Sequence, residues 1–162
     1  MSDIELRLRA PAHLVSPRAR FYWTVRALAG WVVALVVVAF IVVPTPAPAV
    51  PILVAVAVVA LVHIVVMPQW RYRVHRWEVT DSAVYTQSGW INQERRIAPV
   101  ARIQTVDTER GPIEQLFGLA NVTVTTASAA GPLKIHGLER RVADGLVDDL
   151  TTRTNRYRGD GT

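Results

Sequence analysis

No cysteine occurs in the 162-residue chain. That excludes disulfides, a thiol nucleophile and any cysteine-held metal, and it leaves the redox compartment open. Lysine is nearly absent too: Lys134 is the only one among 18 basic residues, so the net charge of +5 is carried by arginine. Such an excess points to an anionic neighbour, either nucleic acid or a membrane surface. The third absence is the most informative. Residues 27–43 and 52–67 contain no Asp, Glu, Lys or Arg at all.

Each of these two runs holds about eleven Val, Leu, Ile or Phe side chains, at roughly −0.3 to −0.6 kcal/mol apiece for insertion into lipid. That outweighs the one ionisable group in the second run, His63. The runs do not alternate and exceed the 4–8 residues usual for a strand, so they read as helices. Their length approaches the roughly 20 residues needed to cross a hydrocarbon core of ~30 Å. Pro44, Pro46, Pro48 and Pro51 cluster around the join. Proline lacks a backbone N–H and disfavours helix in the residue before it, so the expectation is a transmembrane helical hairpin over residues 22–69, with spans at about 24–43 and 52–69. Ala47-Pro48-Ala49 has the small-residue look of a signal-peptidase site. The long charged leader, the long apolar run and the crowding prolines argue against cleavage there.

Residues 1–21 form a polar segment in which Ile4, Leu6 and Leu8 alternate with Glu5, Arg7 and Arg9, compatible with a short strand or a tail. Arg18, Arg20 and Arg26 precede the first span, Arg71, Arg73 and Arg76 follow the second, and the connector has no basic residue. The positive-inside rule then puts both termini in the cytoplasm, with the chain multi-pass in the cytoplasmic membrane. Trp23 and Trp70 sit at the cytoplasmic ends of the spans, where aromatic rings favour the headgroup level.

From Trp70 onward the chain changes to short β-prone segments at 71–80, 83–88, 90–97, 103–108, 120–127 and 133–136, punctuated by Asp81-Ser82, Ser88-Gly89 and Ala130-Gly131-Pro132. Residues 112–117 read as one helical turn, with Pro112 at its start and Gly118 after it. Residues 139–154 form an amphipathic helix with Val142, Ala143, Leu146, Val147 and Leu150 on one face. The expected fold is a two-helix transmembrane hairpin followed by a mainly β domain over residues 70–155, a bent sheet or partial barrel capped by the C-terminal α-helix, with residues 156–162 as a flexible tail.

Several strings in this region resemble a known family. They are Ile103-Gln104-Thr105-Val106, the run from Gly111-Pro112-Ile113-Glu114 through Gln115-Leu116-Phe117-Gly118 to Leu119-Ala120-Asn121-Val122, Arg73 followed by Trp77-Glu78-Val79-Thr80, Ser88-Gly89-Trp90-Ile91, and Arg96-Ile97 with Pro99. Together they are similar to the bacterial pleckstrin-homology (PH)-like domains of YdbS-like membrane proteins, and the preceding hairpin fits that arrangement. The resemblance implies a PH-like fold held at the membrane and a larger membrane protein with several such domains as partner. It implies no catalytic activity and transfers no functional residues. Trp77, Gly89, Phe117 and Gly118 stand as structural members of the signature.

Chemistry has little support in the residues. His13, His63, His75 and His136 are scattered without ligand spacing. Asp144, Asp148 and Asp149 lie on the polar side of the terminal helix, where charge keeps a surface wet. No glycine-rich loop opens a helix to cradle a phosphate. No cofactor and no nucleic-acid partner is expected. Candidate membrane-surface contacts are Trp23, Trp70, Arg71, Arg73, Arg76, Arg95 and Arg96. The leading reading is a non-enzymatic, membrane-anchored interaction module that partners another membrane protein. The alternative is a sensor of anionic lipid headgroups at the inner face, each basic residue there contributing about 1 kcal/mol.

Overall fold

A computed structural model describes residues 10–129 and 131–159. The alternating segment at 4–9 lies outside them. The chain enters through a two-residue strand β1 (His13–Leu14), then runs up α1 (Arg18–Val42) and back down α2 (Ala49–Val74). Strands β2 (Arg76–Val79), β3 (Ala83–Gly89) and β4 (Gln93–Pro99) follow, then a 3-10 turn (Val100–Arg102) and β5 (Ile103–Glu109). The short helix α3 (Pro112–Leu116), β6 (Leu119–Thr126), β7 (Leu133–Glu139) and the long helix α4 (Arg140–Gly159) complete it.

Both hairpin helices are long and apolar enough to cross a membrane, and none of the first apolar window and 6% of the second is buried in protein. Val33, Val36, Phe40, Leu61 and Val65 stand exposed along them, with no protein core to cover them. At ~1.5 Å per residue the 25 residues of α1 and 26 of α2 extend about 37–39 Å, some 7–9 Å more than a hydrocarbon core requires. The surplus lies at the open end of the hairpin and is not lipid helix. Helix α1 begins six residues before the expected 24 because Ala19, Tyr22 and Trp23, spaced i, i+3, i+4, are buried in the β module. Helix α2 likewise runs on to Val74, so residues 71–74, expected as strand, are helical, and Val74 joins the buried set.

The strands form two antiparallel sheets, β1-β2-β3-β4 and β5-β6-β7, and not a closed barrel. Val84, Ala98 and Val100 from the first sheet and the turn after it meet Ile103, Leu119, Val122, Val124, Leu133, Ile135 and Leu138 from the second. Helix α4 packs on β5, β6, β7 and the 3-10 turn. Its buried stripe is Ala143, Leu146 and Leu150, as the periodicity predicts, whereas Val142 is exposed. The helix continues to Gly159, well into the stretch expected to be a flexible tail. Arg153, paired with Asp149 and with Asp81 of the β2–β3 turn, and Tyr157, donating to the Asp81 carbonyl at 3.1 Å, pin this last part to the module.

Candidate membrane-proximal interface

Before entering the hairpin the chain is strapped to the β module. The Ala12 N–H donates to Glu78 Oε2 at 2.9 Å, His13 and Leu14 pair with Trp77 and Arg76, and the Ser16 N–H donates to the Gly137 carbonyl at 2.9 Å. Gly137 explains why α1 can begin there. Its φ is +76°, and a Cβ at this position would stand 2.9 Å from the Ala19 Cβ, so only glycine lets the helix lie against β7.

The Gly111–Asn121 signature string is wired into the same joint. Glu114 accepts from the Gly111 N–H at 2.6 Å and from the Asn121 amide at 2.7 Å, and also takes a hydrogen bond from the Tyr22 hydroxyl on α1. Asn121 Oδ1 accepts from the Gly137 N–H at 3.0 Å. Burial pushes the Glu114 carboxyl up, but the bonds from Gly111, Asn121 and Tyr22 outweigh it and hold the pKa below the ordinary value. Phe117 is half-buried, its ring edge-on to Tyr22 at 6.3 Å, and Gly118 follows with φ +64°, the left-handed position that ends the short helix. Leu116, inside the same string, is exposed.

Above this joint the two helix roots are laced by arginine–aromatic pairs. The Arg71 guanidinium lies 4.6 Å over Trp23, Arg20 lies 4.9 Å over Tyr72, and Arg26 bonds to the Tyr22 hydroxyl at 3.0 Å. Trp23 is therefore no membrane-surface contact: it is 3% exposed, packed between Arg71 and the His75 ring, whose centroid is 5.0 Å away. Arg71 is likewise turned inward onto that indole. His75, at the end of α2, is buried and pushed down to about pH 4, by desolvation first and by the Arg71 charge second; its Nδ1 and its backbone N–H both lie 2.9 Å from the Arg71 carbonyl. His136 is also lowered, by burial and then by Arg71.

The remaining arginines separate. Register pairs Arg76 with Gln87 and Gln87 with Arg95, while Trp77, Thr86 and Arg96 form the adjacent row. Neighbouring residues on a strand point to opposite faces. Arg95 is thus exposed, whereas Arg96 reaches across to the β6–β7 turn, donating to the carbonyls of Gly131 (2.8 Å) and Pro132 and pairing with Glu94 at 3.6 Å. Arg96 is a latch between the sheets and not a free surface charge. Arg76 is half-buried, its Nε donating to the Arg73 carbonyl at 3.4 Å, and Arg73 is exposed. Trp77 stacks at a tilt on His13, 5.2 Å between centroids. Of the seven candidate contacts, Trp70, Arg73 and Arg95 keep open faces.

A polar cluster about two turns deeper in the hairpin is only half visible in the sequence. The Trp31 indole N–H of α1 donates to His63 Nδ1 of α2 at 3.0 Å, and the Trp90 ring from the β3–β4 turn meets the same imidazole edge-on at 5.3 Å. His63 stood out as an intramembrane ionisable group; its partner did not. Yet Trp31 and His63 are the only side chains in the two runs that carry N–H groups, and such groups in lipid must find each other.

The comparisons agree with this architecture. The UPF0699 transmembrane protein YdbS of Bacillus subtilis (strain 168) is 35% identical over 92 residues, covering 57% of this chain and 57% of that protein. The match thus spans less than two thirds of the relative's length. No solved structure matches the chain significantly. The family description "Bacterial PH domain" matches residues 25–154, which takes in most of the hairpin as well as the β module, and the chain belongs to that family.

Proposed function

We propose that this chain is a non-enzymatic, membrane-anchored PH-like interaction module, held with its β domain and both termini on the cytoplasmic side, that engages another membrane protein carrying similar domains. The observation that carries this reading is the mounting of the module: α1 and α2 run without a linker into its core, so its strands keep a fixed height and orientation over the bilayer. Strands β4 and β5 each have one edge with no strand partner among the described residues. A partner confined to the same membrane meets such an edge at high effective concentration, which lets a weak contact suffice. The resemblance to YdbS-like proteins supplies the class of partner.

The test is photo-crosslinking in native membranes from a probe at Thr105, on β5. The reading expects an adduct with a multi-span protein bearing further copies of the Leu-Phe-Gly-Leu-Ala signature. Adducts with lipid or with this chain alone would sink it. The second reading, headgroup sensing, draws support from the open faces of Trp70, Arg73 and Arg95. It predicts that replacing Arg73 and Arg95 by Ala abolishes a salt-sensitive response of the reconstituted protein to anionic lipid, with the Thr105 crosslink unaffected.

A further inference from the structure

The β3–β4 turn climbs beside the hairpin. Gly89 sets it, with φ +123°; a Cβ there would fall 1.9 Å from the Asn92 carbonyl oxygen, so the chain reverses in a space that only glycine fits. The reversal leaves Trp90 and Ile91 at the tip, and Ile91 is 79% exposed. Two contacts fix the height of this tip against α2. The Trp70 indole N–H donates to the Trp90 carbonyl at 3.0 Å, and the Trp90 ring meets His63 at 5.3 Å.

His63 lies four residues inside the second apolar run, about 6 Å beyond its cytoplasmic end at ~1.5 Å per residue. Its neighbours Leu61, Val62, Val65 and Val66 are the exposed apolar side chains that the bilayer covers. A tip at that depth is not in water. Ile91 would be a misplaced residue on a wet hairpin, but here it continues the lipid-covered surface of α2, with Trp90 and Trp70 at the headgroup level where indoles partition. Behind the tip come Asn92, Gln93, Glu94 and Arg95, all exposed and polar, as expected of a chain re-entering the headgroup layer.

We infer that Trp90-Ile91 is a third membrane contact, a hairpin tip seated in the acyl–headgroup boundary of the leaflet beside the module, its occupant being phospholipid and not a second protein. The tip keeps the β module from tilting on its two helical roots. This rests on the hairpin spanning the bilayer and is independent of the interaction role.

Because the chain has no cysteine, Ile91→Cys in the full-length protein gives a single site for an environment-sensitive fluorophore. Val58→Cys, on the exposed apolar face of α2, supplies the lipid reference, and Asp107→Cys, exposed on β5, the water reference. In phosphatidylcholine–phosphatidylglycerol proteoliposomes, the label at 91 is expected to be blue-shifted relative to that at 107. Its quenching by aqueous iodide should be several-fold weaker than at 107, and a nitroxide placed near the headgroup end of the acyl chain should quench it more than one at the terminal methyl. Iodide quenching equal to that at 107 overturns the inference. So does a label shielded from iodide yet untouched by either lipid nitroxide, which would indicate cover by a second copy of the chain. If the label at 58 also escapes both lipid nitroxides, the spanning hairpin fails together with the inference.

Discussion

At the scale of single residues, the sequence exposes types but not their neighbours. Four scattered histidines carry no metal spacing, and nothing in their positions announces that His75 lies against Trp23 and Arg71 while His63 lies against Trp31 and Trp90. Apart from Arg71, one helical turn before His75, those partners lie 27 to 52 residues away, beyond the reach of any local pattern. The buried state of His75 has a measurable consequence. Its pKa falls from 6.5 to about 4, so the folded state prefers the neutral ring. A depressed histidine leaves stability intact above pH 6.5 and erodes it as pH drops toward 4, where folding must either hold the ring neutral or bury its charge. At about 1.4 kcal/mol per pKa unit the loss approaches ~3 kcal/mol across that window. Thermal melts of the full-length protein in detergent, followed by tryptophan fluorescence, should fall in midpoint from pH 6.5 to 4.5. A His75→Asn variant should show a visibly flatter profile; an unchanged slope would remove His75 as the cause.

At the scale of elements, what was legible is what repeats. The absence of charge over 27–43 and 52–67 gives the hairpin, the i, i+3, i+7 stripe of Ala143, Leu146 and Leu150 gives the last helix, and Thr–Val alternation gives β6. The helices outrun the expected spans for one physical reason. A helix that leaves lipid and enters a protein core changes its apolar partner without changing its apolar face, so hydropathy alone stops at Met67 or Ala27 while the helices continue. The signal was present in Ala19, Tyr22 and Trp23, whose spacing marks a buried stripe among arginines. The signature string was recognisable as a pattern, but the roles of Glu114 and Asn121 within it were not, since both act through contacts with Tyr22 and Gly137 far away in sequence. Asn121 joins α3 to β7, and Asn121→Ala would strand the Gly137 N–H and release the Glu114 carboxylate. With ~1–3 kcal/mol for a stranded buried donor and a similar sum for a bond to a charged group, the variant should lose about 2–6 kcal/mol. Asp107→Ala, on the exposed strand β5, should stay within about 0.5 kcal/mol. Equal melting of the two variants would contradict the joint described here.

At the scale of the whole molecule, the hairpin and the β module are one body. The core that contains Val84, Val122 and Leu138 also contains Val15, Ala19, Tyr22 and Trp23, so residues on either side of the first strand–helix junction belong to the module as much as its strands do. A fragment beginning at Trp70 would lack part of its own core, and tests of function belong on the full chain. Two helices entering a core without a linker transmit position: the module cannot swing freely over the membrane as it would on a flexible tether. That fixed pose underlies both the proposed engagement of a membrane partner and the seating of the Trp90-Ile91 tip.

Hydrogen exchange of the full-length protein in lipid nanodiscs tests this shared core most directly. The amides of residues 19–23 and 71–75, although outside the lipid, are expected to exchange as slowly as those of Val122 and Val124 in β6 and to open together with them. Fast exchange at the two helix roots while β6 stays protected would show that the helices merely tether the module, and would contradict the account.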